Sequence, residues 1–256
     1  MSLTFRNAIV RRPGRSVVNG LSSSGYGKPD FEKSLRQHSE YIGKLEGCGL
    51  SVRILDCDEE FPDSVFIEDV ALCTSRCAVI TNPGAPSRKG EINGMGNILK
   101  DYFENIEFIA DPGTLEAGDI MMAGEHFFIG LSQRTNQNGA CQLITILEKY
   151  GFTGSLIPLS ELLHLKSGTS YLEDNVILVT KELAGNKEFG SFRKIIVPDH
   201  EAYAANSVWL NSIVLLPEGF PETRILIEDA GYETIVSDVS EFRKLDGGLS
   251  CLSLRF

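Results

Sequence analysis

The stretch 245–256, LDGGLSCLSLRF, decides how the whole chain is organised. It opens with a turn, Asp246-Gly247-Gly248, whose glycines permit positive φ and a close approach of backbone to a ligand. An apolar, strand-like run headed by Cys251 follows at 251–256. Taken alone, Cys251 reads as a small buried hydrophobe in a terminal strand, because free cysteine is among the most buried residue types. The run nevertheless begins a pattern that recurs along the chain and is left unfinished here. Its missing parts lie at the other end of the sequence.

The recurring pattern is an apolar strand, a turn, a second apolar strand, an amphipathic helix and a short outer strand. One copy has strands at 64–73 and 78–81 and an outer strand at 107–110. Its helix spans 91–105, with Ile92, Met95, Ile98, Leu99 and Tyr102 at helical spacing. The next has strands at 118–123 and 126–130 about the turn Gly124-Glu125, a helix at 138–150 and a strand at 154–158. A third has 169–172, Val176–Thr180, a weaker helical stretch at 186–192 and a strand at 194–197. A fourth has 205–210, 212–216, a helix at 221–230 and a strand at 233–236, with Pro221 suited to a first helical turn and Gly231 to a C-cap. The fifth is assembled from both ends: 251–256 pairs with Asn7–Arg11, and Phe31–Gly47 and Ser51–Leu55 supply its helix and outer strand. Five units of roughly 45 residues, the last closed by both termini, predict one circular α/β domain over residues 1–256, a five-bladed propeller whose closure hides its sheet edges. The competing arrangement is a doubly wound parallel sheet. Against it stand the paired strands before each helix and the absence of a glycine-rich phosphate loop.

A chain of 256 residues with 42% hydrophobic and 23% charged residues suits a soluble globular protein with a large core. No apolar run reaches the roughly 18 residues of a membrane span. The start, MSLTFRNAIVRRPG, lacks the apolar core and cleavage site of a signal peptide. Six cysteines without a framework pattern (48, 57, 73, 77, 141 and 251) point to the reducing cytoplasm. Cys73 and Cys77 form the one close pair, with no histidine nearby, and the histidines at 38, 126, 164 and 200 are far apart. No metal and no cofactor are therefore expected. A net charge of −11 gives nucleic acid or an anionic membrane no electrostatic support and mildly favours a cationic small molecule.

The first inner strand of several units begins with ionisable residues that a purely structural strand avoids. Glu68 and Asp69 sit in an apolar run, Glu116 and Asp119 flank Ala117-Gly118, His164 precedes the third unit and Cys251 opens the fifth. If these strand ends converge on an axis, acids, an imidazole and a thiol share one pocket. A thiolate is then the nucleophile, a histidine moves protons, and paired carboxylates suit a planar guanidinium with forked N–H donors. Arg88 and Arg134 occupy equivalent loops after the second strands. From the residues alone they read as solvated charges near a helix start, or as a grip on a substrate carboxylate if those loops rim the mouth.

The stretches FPDSVFIEDVALCTSRCAVIT (61–81), LEAGDIMMAGEHFFIG (115–130), SQRTN (132–136), LHLKSGTSYLED (163–174) and KLDGGLSCLSLRF (244–256) together resemble the dimethylarginine dimethylaminohydrolases of the guanidine-modifying, or pentein, superfamily. The resemblance covers essentially the whole chain. It implies a five-bladed α/β propeller that hydrolyses Nω-methylated arginines to citrulline and a methylamine. It implies Cys251 as nucleophile, His164 as general acid/base, and Glu116 and Asp69 on the guanidinium with Glu68 beside them. Arg88 and Arg134 would clamp the α-carboxylate, and Asp63 and the carbonyls of Leu21 and Leu245 would meet the substrate amino end. The glycine- and serine-rich segment 20–28 (GLSSSGYGK) would be a flap, as its composition also suggests. A homodimer is implied at the family level. Arginine deiminase is the competing activity. Deiminases usually carry a carboxylate two residues after the histidine, where Lys166 stands here, and an EGGD-like motif, where Ala117 intervenes, and they are generally longer. A non-catalytic translation factor of the same shape is the remaining alternative, and the Cys/His/acid set and the net charge of −11 oppose it.

Overall fold

In the computed structural model, which describes residues 4–256, the strand β1 (Asn7–Arg11) lies in the middle of a three-stranded sheet. The chain leaves it through α1 (Phe31–Gly47) and returns in parallel as β2 (Ser51–Leu55). Helix α1 is started by Asp30, whose side chain accepts from the Lys33 N–H at 2.6 Å, and it buries Ser34, His38, Tyr41 and Leu45 at three- and four-residue spacing.

Four sheets with the same internal order follow. The first is β3 (Ala71–Cys73), β4 (Ala78–Ile80), α2 (Met95–Leu99) and β5 (Ile106–Phe108). The second is β6 (Ile120–Ala123), β7 (His126–Leu131), α3 (Gln137–Lys149) and β8 (Thr153–Pro158). The third is β9 (Thr169–Tyr171), β10 (Val176–Thr180), α4 (Lys181–Ala184) and β11 (Arg193–Val197). The next is β12 (Val208–Leu210), β13 (Ile213–Pro217), α5 (Pro221–Asp229) and β14 (Glu233–Ser237), followed by α6 (Ser240–Arg243) and β15 (Leu254–Arg255). In each, the inner strand is antiparallel to the middle one and the middle one is parallel to the outer. β15 completes the sheet of β1 and β2 by pairing antiparallel with β1, Ala8 opposite Arg255 and Ile9 opposite Leu254. These five sheets are the blades of a closed propeller.

Each middle strand is apolar on both faces because each face feeds a different core. Val176 and Leu178 of β10 pack with Val214 and Leu216 of β13, whereas Ile177 and Val179 pack with Met121 and Phe128 of the preceding blade. Ala8 and Val10 of β1 join Leu210 and Leu215, while Ile9 joins Ala78 and Ile80. Val79 of β4 completes the circle with Phe127 and Ile129 of β7. The cores therefore lie between blades, and a continuous run such as VILVT is what a strand buried on both faces requires.

Two local expectations are corrected. The helix at 91–105 is only α2, preceded by a 3₁₀ segment at Pro86–Ile92, because Gly94 takes φ of +79° and breaks the turn. The helical stretch at 186–192 is a single 3₁₀ turn, Lys187–Phe189, and α4 begins earlier, directly after β10.

The strands at 64–73, 118–123 and 251–256 are also shorter than their apolar runs, and that difference matters most. A 3₁₀ turn precedes every inner strand: Ile67–Val70, Ala117–Asp119, Leu165–Ser167, Asp199–Ala205 and Ser250–Leu252. Cys251 thus stands on a turn rather than in a strand. Four of the five pairs of neighbouring turns pack on one another around the axis. A turn lifts polar side chains to the end of the propeller, where an extended strand would drive them into the apolar cores. Among the described residues no helix is long and apolar enough to cross a membrane.

Candidate active site

The ring of turns floors a cavity of about 1030 Å³. Glu116 directly precedes one turn and His164 the next, and both side chains are buried. The imidazole Nε2 lies 2.8 Å from Glu116 Oε2. Glu116 Oε1 accepts from the Ala85 N–H at 3.2 Å, and its own N–H donates to Thr135 Oγ1 at 3.1 Å. Burial alone raises a carboxyl pKa, but the His164 hydrogen bond and the charges of His164, Arg88 and Arg134 outweigh it and hold Glu116 below the usual carboxylate range. Burial opposes a charged imidazole, yet Asp69, Asp119 and Glu116 raise His164 well above its ordinary value. The pair rests as carboxylate and imidazolium.

Asp69 approaches the same spot from the adjacent turn. Its Oδ1 accepts from the Gly118 N–H at 2.8 Å and its Oδ2 from Arg88 Nη1 at 2.6 Å. Residue 118 has no room for a side chain: a Cβ there would stand 2.7 Å from His164 Nδ1 and 2.8 Å from Asp69 Oδ1. That glycine lets the acid and the imidazole share one point. Behind His164, Asp119 accepts from the Leu165 N–H at 2.9 Å and from Ser132 Oγ at 2.7 Å, and burial pushes its pKa up.

Cys251 is half-buried on the last turn, and its Sγ accepts from the Gly248 N–H at 3.4 Å. Burial, then the charges of Glu68 and Asp69, push its thiol up to about 12, against the Gly248 N–H and Lys166. With the pocket empty it is a neutral thiol at pH 7.

The two arginines differ. Arg88 is buried, which corrects the solvated reading: Nε and Nη2 hold the Glu91 carboxylate, with Nη2 2.7 Å from its Oε2, and Nη2 also donates to the Phe66 carbonyl at 3.0 Å. Burial disfavours its charge, but Asp69 and Glu91 keep its pKa well above the ordinary value. Arg134 is less enclosed. Its Nη1 is ion-paired with Glu116 Oε1 at 3.5 Å and is buried without a hydrogen bond, in a side chain that lines the cavity. Asp69, Glu116 and His164 offer ligand atoms within 4.8 Å of one another, a donor set of metal-binding type. Arg88 and the imidazolium already neutralise those carboxylates, so the cluster is organised around cations carried by nitrogen.

The rim is formed by the segment 20–28. Leu21 N–H donates to Asp63 Oδ1 at 3.0 Å, and Asp63 is a buried carboxyl whose pKa burial raises. The hydroxyls of Ser22 and Ser24 donate to the Lys244 carbonyl at 2.5 and 2.8 Å, and the Ser23 N–H donates to Asp246 Oδ2 at 2.5 Å. Arg243 lies over the Tyr26 ring, 5.0 Å from its centroid.

A family model described as N,N dimethylarginine dimethylhydrolase, eukaryotic, matches residues 27–184. The N(G),N(G)-dimethylarginine dimethylaminohydrolase of Pseudomonas aeruginosa is 51% identical over 253 residues, covering 98% of this chain and 100% of that one. The chain belongs to the dimethylarginine dimethylaminohydrolase family. The Streptomyces coelicolor member is 32% identical, covering 98% of this chain and 96% of its own. A solved structure of the Pseudomonas aeruginosa enzyme, a cysteine-to-serine mutant complexed with citrulline, is 50% identical and superposes with a TM-score of 0.98 over 99% of this chain and 100% of that one.

Within this dimethylarginine dimethylaminohydrolase framework, most residues singled out from sequence reach one cavity. Cys251, His164, Glu116 and Asp69 line its floor. Arg88, Arg134, Asp63, Leu21 and Leu245 line its walls and rim. Glu68 does not. Its carboxylate meets Lys166 Nζ at 2.6 Å, Arg255 Nη2 at 2.9 Å and Ser250 Oγ at 2.7 Å, and it lines a second, smaller cavity. Sequence reasoning missed Glu91 and Asn206. The three-residue spacing from Arg88 was a signal for the first, and no local motif marks the second.

Proposed function

We propose that the protein hydrolyses Nω-methylated arginines to citrulline and dimethylamine or methylamine through a covalent adduct on Cys251. The observation that carries this reading is the convergence of Asp69 and the Glu116–His164 pair on Gly118, in one cavity with the Cys251 thiol and with Arg134 in its wall. The substrate guanidinium lies between Asp69 and Glu116, whose remaining lone pairs accept its N–H groups. Its charge offsets the carboxylates that hold Cys251 neutral, so the thiol proton leaves to solvent as substrate binds.

The thiolate then forms a bond to the guanidinium carbon. Imidazolium His164 donates its proton to the methylated nitrogen, the C–N bond breaks and the neutral amine departs, leaving a thiouronium on Cys251. Neutral His164 removes a proton from water as its oxygen bonds to the same carbon. Collapse breaks the C–S bond, and the proton of the new hydroxyl returns to sulfur as the urea carbonyl of citrulline forms. Arg134 pairs with the substrate α-carboxylate. Arg88, engaged by Glu91, keeps Asp69 oriented, and Asp63 with the carbonyls of Leu21 and Leu245 receives the amino end. Glu68 acts from behind the floor.

The six free cysteines support a cytoplasmic location, and a homodimer acting through one catalytic domain per chain is the family-level expectation. The test is a product assay on asymmetric dimethylarginine, monomethylarginine, arginine and agmatine. Dimethylamine and citrulline from the first, with little ammonia from arginine, are expected. Ammonia from arginine as the main product would make the protein a deiminase.

A further inference from the structure

We propose that Asn206 is a positioning residue, whose carboxamide fixes the turn carrying Cys251 against the turn that follows His164. The proposal rests on the reading of those two residues as nucleophile and acid/base. Asn206 immediately follows the fourth turn of the ring, Asp199–Ala205. The other four joints between neighbouring turns are packed turn on turn. The remaining joint, to Ser250–Leu252, is bridged by the Asn206 side chain. Its Oδ1 accepts from the Ser250 N–H at 2.9 Å, and its Nδ2 donates to Ser250 Oγ at 3.0 Å and to the Lys166 carbonyl at 2.9 Å. Ser250 precedes the nucleophile, and Lys166 stands two residues after His164.

A primary amide has two N–H groups and one carbonyl oxygen, and here each has a partner within the ring. Asn206 is buried at the cavity wall with both hydrogens committed, so it acts through the turns rather than on substrate. The fit is close on its far side as well. A Cβ at residue 248 would stand 2.4 Å from Asn206 Oδ1, and the Gly248 N–H is the group that donates to Cys251 Sγ. One carboxamide therefore sets three things: where Ser250 lies, where Gly248 lies, and how far both are from the His164 turn. Aspartate keeps the shape and the acceptor for the Ser250 N–H but presents an oxygen to the Lys166 carbonyl. Alanine removes all three bonds.

Displacement of a reacting group by about 1 Å costs roughly 10²-fold in rate without removing binding contacts. Asn206→Ala is therefore expected to lower kcat about 10²-fold while leaving KM within about threefold, and Asn206→Asp to lower kcat at least about tenfold. Citrulline release is measured alongside the number of citrulline-binding sites titrated by calorimetry in each preparation, so that kcat is expressed per intact site. A loss of kcat that disappears on this correction would show a structural role only and overturn the proposal. So would kcat per site within threefold of wild type in both variants. If the alanine variant does not fold, the isosteric aspartate variant decides by the same criteria. Wild type inactive on every methylarginine would instead overturn the functional reading, and the positioning role with it.

Discussion

Glu68 and Asp69 are consecutive, both acidic and both buried, yet they line different cavities. Asp69 turns to the large cavity, where Arg88 and the Gly118 N–H hold it next to His164. Glu68 turns to the smaller one and is saturated by Lys166, Arg255 and Ser250. A 3₁₀ turn rotates successive side chains by about 120°, so neighbours in sequence face different solvents. The difference teaches that position on the turn, rather than residue type, separates the chemistry of this protein from its scaffolding. In the large cavity charges are left with spare lone pairs. In the smaller one they are closed off against one another.

The largest break in that contrast is expected from the thiol itself. Cys251→Ser should reduce turnover by at least about 10⁴-fold while citrulline still binds, read by calorimetry. Undiminished turnover would remove the nucleophile from the proposed chemistry. A paired experiment sharpens the difference between the two acids directly. Asp69→Asn should lower kcat/KM about 10³-fold. Glu68→Gln, which leaves Lys166 and Arg255 facing a neutral partner, should instead cost about 3 kcal/mol of stability in a chemical-denaturation curve and less than about tenfold in kcat. Equal profiles for the two variants would erase the distinction. The smallest effect belongs to the mouth: Arg134→Ala should raise KM roughly 10- to 100-fold, the value of one charge-assisted contact, with kcat nearly unchanged. An unchanged KM would leave Arg134 without a substrate role.

Legibility in the sequence followed burial. Middle strands such as VILVT and the FFI of β7 were readable because both their faces enter apolar cores, which no turn or surface segment imitates. Pairing of the two chain ends was readable because one unit lacked exactly what the other end supplied. The turns were not, since Cys251 and Glu68-Asp69 adjoin apolar residues and only the ring shows that the backbone coils before the strand begins. Arg88 looked like a loop charge because its partners, Glu91 and Asp69, lie on opposite sides of it in sequence and close over it only when folded. Asn206 was invisible for the same reason, with all its partners 40 or more residues away.

The seam between β1 and β15 has one more implication. The Phe256 carbonyl accepts from the N–H groups of Arg6 and Asn7 at 2.9 and 2.8 Å, so residues 6 and 256 lie side by side. A ring joined there has no privileged first blade. A circular permutant, with a short linker across that seam and new ends opened at the Gly124-Glu125 hairpin, would string the same blades in a different order and keep every interblade core. In that rearranged gene the codon for Cys251 would move from the far end of the reading frame to its middle.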